Sequence, residues 1–126
     1  MAYAKARVQF GQPISDFQAI RFKIATMATE IEAARALMWQ VCEAIDAGTA
    51  GRVETSMVKY FAAEIAERVT SEALQIFGGA GYTTLYAAER YWRDARLTKI
   101  FEGTSEIQQR IIADGLLGKP TIRGSN

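Results

Sequence analysis

The sequence predicts an all-α protein built as an antiparallel four-helix bundle. Three observations carry that expectation. Apolar residues recur at alternating steps of three and four from Ile14 to Ile45, and a second such run covers Val58 to Ile76. No stretch of convincing length alternates apolar with polar residues as a half-buried strand would.

The first helix is expected to open at Ile14, directly after Pro13. Ser15 and Gln18 have the spacing of a capping box. The seam runs through Phe17, Ile20, Ile24, Met27 and Ile31 and on to Ile45, roughly nine turns, before Gly48 closes it. A second helix is expected near Glu54, with Phe61, Ile65 and Val69 on its apolar face. It should stop at "GGAGY", residues 78–82, where three glycines in four positions oppose continuation. A third, shorter helix is expected from Leu85 to about Asp94, with Tyr91 and Trp92 as packing groups. "RLTKIFEG" then leads into a last helix, Ser105 to Leu117, halted by Gly118 ahead of Pro120. Residues 1–120 read as one helical domain and 121–126 as a frayed tail. The opening "MAYAKARVQFGQP" reads as the end of a helix followed by a turn, so the chain is expected to be a piece of a longer protein.

Composition narrows the chemistry. Fifteen basic residues face fourteen acidic ones, so a net charge of +1 offers no footprint for nucleic acid or an anionic membrane. No apolar run approaches a membrane span and no signal peptide opens the chain, so a cytoplasmic setting is expected. A single cysteine, Cys42, rules out a disulfide within the chain. The chain also has no histidine, which removes Cys/His zinc sites and Ser–His or Cys–His nucleophiles. Proton transfer near neutral pH therefore falls to a carboxylate, lysine or tyrosine, or to a cofactor.

Glu102 is the candidate carboxylate. It follows Ile100-Phe101 and precedes Gly103, just where a helix starts. An apolar setting would raise its pKa into the range of a general base, and Gly103 would let a ligand approach the backbone. Equally, Glu102 could simply complement the positive end of the last helix, which Ser105 and Gln108 would cap. Arg7 beside Phe10-Gly11 suits a pyrophosphate or an ordinary surface site. Arg90, Arg93 and Arg96 share one helical face, and salt bridges with Glu89 or Asp94 would account for them.

Three motifs together go further. "RVQFGQPISDFQAI", "QIFGGAGY" and "RDARLTKIFEGTSEIQ" stand in the order and spacing of one family. The chain resembles the C-terminal helical domain of the acyl-CoA dehydrogenases over residues 3–118. That resemblance implies an FAD flavoprotein whose N-terminal helical and middle β-domains lie outside this sequence. It implies oxidation of an acyl-CoA thioester to the trans-2-enoyl-CoA, with electrons passing to electron-transfer flavoprotein, in a homodimer or homotetramer. By position, Glu102 matches the base that removes the α-proton, and Gly103 lies beside the thioester. Arg7, Phe10, Gln18, Gln75 and Gly79 match residues that reach FAD across a subunit boundary. Thr104 and Glu106 match FAD contacts from the base loop. Two other readings stay open: a helical oligomerisation module without catalysis, and a related oxidase that passes electrons to oxygen.

Overall fold

A computed structural model describes residues 1–120; the proposed tail at 121–126 lies outside the described residues. The all-α expectation holds. A short helix α1 (Ala2–Ala6) leads into a minimal hairpin of β1 (Val8–Gln9) and β2 (Gln12–Pro13), then α2 (Gln18–Asp46), α3 (Arg52–Phe77), α4 (Ala88–Leu97) and α5 (Ser105–Leu117). Short 3₁₀ turns occupy Ile14–Asp16 and Gly78–Tyr82. The four long helices are those the periodicity predicts, and α3 is their common partner, packing against α2, α4 and α5.

Local chemistry explains where the boundaries moved. The first long helix begins at Gln18 rather than Ile14, because the chain spends residues 8–16 on the hairpin and a 3₁₀ turn. Ser15 does not cap it: its hydroxyl donates to Asp16 Oδ1 at 3.2 Å, and Phe17, in extended conformation, holds the N-cap position. At α3, Glu54 sits in the first turn and accepts the Gly51 N–H at 2.8 Å. Its own backbone N–H and that of Gly51 hold the Glu54 carboxyl below the usual carboxylate range. α4 begins three residues later than expected. The Thr83 hydroxyl donates to Ala80 O at 2.8 Å and accepts from the Leu85 N–H, a local turn that competes with helix.

The core runs along α3. Ala63 and Ile65 of α3, Val41 of α2, Ala95 of α4 and Ala4 of α1 are buried. At the α3–α5 crossing, a Cβ on Gly115 would lie 2.3 Å from Val53 Cγ2, so only glycine permits this approach. Charged pairs stitch α3 to its neighbours: Lys23 with Glu72 and Glu30 with Arg68 toward α2, Arg96 with Glu67 toward α4. Of the basic face of α4, Arg93 reaches Glu89 at 3.6 Å as expected, whereas Arg96 turns to Glu67 of α3 and Arg90 lies over the Tyr91 ring. Large apolar groups remain outside this core, Phe22 and Trp39 each 62% exposed. Among the described residues no helix is long and apolar enough to cross a membrane.

Candidate active site and cofactor cleft

The loop between α4 and α5 begins where α4 tightens. Ile100 N–H donates to Leu97 O at 2.9 Å and Phe101 N–H to the same carbonyl at 3.1 Å. Glu102 and Gly103 then both take positive φ, 53° and 90°. For glycine this is easy; for a glutamate it costs about 1–2 kcal/mol, so surrounding structure has to hold it there.

Several bonds do so. The Ser105 N–H donates to Lys99 O at 3.1 Å, closing the loop on itself. Glu64 of α3 grips both ends, accepting from Lys99 Nζ at 2.8 Å and from the Ser105 hydroxyl at 3.1 Å. Lys99 also meets Glu67 at 2.8 Å, and these two carboxylates raise its pKa above the ordinary lysine value. The buried Gln108 side chain donates to both Glu102 O and Gly103 O at 3.3 Å. Lys59 of α3 donates to Gly103 O at 2.6 Å.

The helix start differs from the expected Ser105–Gln108 box. Thr104 is the N-cap, its hydroxyl accepting from the Ile107 N–H at 3.4 Å, because the Ser105 hydroxyl is committed to Glu64. Glu106 follows in the first turn. Its own N–H, the Thr104 hydroxyl and the charges of Lys99 and Arg96 hold its carboxyl below the usual range. Glu102 itself is exposed, and Ile100 and Phe101 are 52% and 45% exposed, so this chain's own residues do not form the apolar setting expected of it. The arrangement is a rigid loop that displays one carboxylate.

The other expected contacts gather at the far end of α3. Lys59 and Gln75 lie on the same helix, about 24 Å apart at 1.5 Å per residue. There, an open cleft of about 690 Å³ is lined by Arg7, Gly79, Tyr3, Phe77, Gln9 and Tyr86 among others. Tyr3 stacks on Phe77 with centroids 4.3 Å apart, and Tyr86 packs against both rings. Nothing lies within 4 Å of where a Gly79 Cβ would stand, so the backbone there is open to a ligand. Gly81 is glycine for another reason: a Cβ would meet Phe77 Cβ at 2.5 Å.

Phe10 is at the hairpin tip with Gly11, at φ 52° and 81°, a two-residue turn of the primed type. It is 94% exposed and touches Phe17 edge-on at 6.2 Å. Gln18 and Gln75 are exposed on α2 and α3 and do not line the cleft. The structure thus brings Arg7 and Gly79 together, and Glu102, Gly103, Thr104 and Glu106 together, as two groups at opposite ends of α3. Sequence reasoning missed Lys59, Glu64 and Lys99, whose partners are 44 and 35 residues away in the chain, and the aromatic lining of the cleft.

A helical domain with a displayed Glu-Gly-Thr loop at one end of its central helix and a glycine- and arginine-lined cleft at the other defines a class. The sequence profile of the family "Acyl-CoA dehydrogenase, C-terminal domain" matches residues 1–117, and the chain belongs to that family. It is 47% identical over 117 residues to the caffeyl-CoA reductase–Etf complex subunit CarC of Acetobacterium woodii, covering 93% of this chain and 31% of that protein. It superposes on butyryl-CoA dehydrogenase from Megasphaera elsdenii with TM-score 0.89 at 45% identity, covering 92% of this chain and 30% of that one. A structure described as the FAD complex of PigA gives TM-score 0.88 at 33% identity, covering 94% and 31%. The chain therefore spans about three tenths of the length of the curated relatives it matches.

Proposed function

We propose that this chain is the C-terminal domain of an FAD-dependent acyl-CoA dehydrogenase that oxidises an acyl-CoA thioester to the trans-2-enoyl-CoA. The observation that carries the reading is the strained, multiply braced Glu102–Gly103 pair in a chain of this family without histidine. A carboxylate held outward in left-handed backbone is a cost that a helix start alone does not require. Glu102 takes the α-proton onto its carboxylate. Gly103 lies beside the thioester, its missing Cβ making room for the Gln108 amide that braces the loop. The apolar surroundings of Glu102 come from acyl-CoA, flavin and the remaining domains.

The residues present fit FAD. The Arg7 guanidinium offers paired donors for a pyrophosphate, and exposed Gly79 lets it approach backbone. The Tyr3, Phe77 and Tyr86 rings suit a flat group. When bound, FAD supplies the acceptor for the hydride that leaves the β-carbon. Thr104 and Glu106 would contact it from the base loop, and Phe10, Gln18 and Gln75 would complete the distal group. A span of about 24 Å along α3 supports assigning the two groups to flavins of two subunits, hence a homo-oligomer, dimer or tetramer. Electron-transfer flavoprotein is the proposed electron acceptor, a partner named for the Acetobacterium relative.

The test is Glu102→Gln in the full-length enzyme. Flavin content should be unchanged while the rate of flavin bleaching by acyl-CoA falls by about four orders of magnitude, at the upper end of a lost general base. Bleaching at the wild-type rate would remove Glu102 from the role.

A further inference from the structure

Lys59 makes no salt bridge among the described residues, although three carboxylates of its own helix, Glu64, Glu67 and Glu72, are paired with cations from α2, α4 and the loop after α4. Its ammonium instead meets a single backbone oxygen, Gly103 O, at 2.6 Å. The side chain is half-buried, so the bond forms where water competes poorly. A charged donor on a neutral carbonyl is among the stronger hydrogen bonds a protein makes. It falls on the peptide that ends the left-handed Glu102–Gly103 pair.

We propose that Lys59 is a positioning residue for the Glu102 carboxylate, an inference that rests on the function proposed above. With both φ angles positive, rotating the Gly103–Thr104 peptide would swing Glu102 relative to α3. Thr104 is tied to α5 as its N-cap, and Lys99 and Ser105 are tied to Glu64, so the loop ends are fixed. What remains free is the orientation of the peptide planes between them. Two side chains set it. Gln108 holds both carbonyls with long bonds of 3.3 Å, whereas Lys59 holds one with a short, charged bond. Lys59 is thus the group that anchors the base to the rigid central helix, without touching substrate or proton.

Such a role separates rate from binding. In the full-length enzyme, Lys59→Met keeps the stem and deletes the donor. The rate of flavin bleaching at saturating acyl-CoA should fall about 10- to 100-fold, the size of effect that ångström-scale misplacement brings. The acyl-CoA concentration giving half-saturation and the flavin content should change less than twofold. Lys59→Arg, which restores a cationic donor, should recover most of the rate, a result that loss of general stability would not produce. Amide hydrogen exchange at Gly103–Ser105 should speed up in Lys59→Met and not in Lys59→Arg. If Lys59→Met does not fold, Lys59→Gln is held to the same outcomes. Wild-type bleaching in Lys59→Met, alongside a dead Glu102→Gln, would overturn the positioning role and leave the proposed function standing. Wild-type bleaching in Glu102→Gln would overturn both.

Discussion

Replacing Gly103 by alanine tests the loop most sharply, because two independent costs coincide there. At φ 90° an alanine carries a left-handed penalty of about 1–2 kcal/mol. Its Cβ would also lie 2.7 Å from Gln108 Nε2 and 3.6 Å from Ile107 Cγ2. Gln108 is only 7% exposed, so its amide has to turn away from Glu102 O and Gly103 O inside a confined space. Losing one net hydrogen bond there costs about 1 kcal/mol. Alanine returns about 0.4–1 kcal/mol by narrowing the unfolded ensemble. The balance is a loss of about 2 kcal/mol. With an unfolding entropy of about 2.1 cal/mol/K per residue, a domain of this size should melt about 8 °C lower. Thermal unfolding followed by circular dichroism reads this directly. A midpoint within about 2 °C of wild type would mean that the loop relaxes freely and that neither the φ angle nor the Gln108 contact constrains it.

Phe10→Asn should act in the opposite sense. An exposed phenylalanine at φ 52° is unfavourable for the turn, and Asn-Gly is the preferred pair there, so the chain should gain up to about 1 kcal/mol. The full-length enzyme should at the same time retain FAD less well in dialysis; equal retention would remove Phe10 from the cofactor site. The Lys99 clamp makes a pH prediction. Its folded pKa is raised, first by Glu64 and then by Glu67, so its contribution is fully present below the unfolded value of about 10.4. Stability from this source should be constant through neutral pH and decline only as pH rises through the folded pKa. Lys99→Met, removing a side chain that is 21% exposed, should cost about 1 kcal/mol at pH 7 and less once pH rises through the folded lysine pKa. A cost that grows with alkalinity would contradict that sign.

Much of the helical frame is written in local patterns. Steps of three and four place α2 and α3, and Gly118 stops α5 after Leu117 as expected. The glycine cluster ends α3 because Gly78 must take φ 62° there. Capping was less legible. Ser15 and Ser105 each stand three residues before a glutamine, yet neither caps its helix. Ser15 turns to its neighbour Asp16, a local competition that spacing does not reveal. Ser105 turns to Glu64, 41 residues away.

By itself the sequence determined that this is a helical domain without histidine chemistry, and it singled out Glu102 and Gly103 as an unusual pair at a helix start. These are properties of residue type and near-neighbour order, which short-range sterics and periodicity express directly. Only the tertiary structure decided how that pair is held. Lys59, Glu64 and Gln108 converge on it from α3 and α5, which meet because Gly115 lets Val53 come close. The packing of α3 against its neighbours also separates the Arg7–Gly79 cleft from the Glu102 loop by about 24 Å along the helix. A hydrogen bond across 44 residues leaves no periodic trace in the chain, since it depends on where two helices happen to cross.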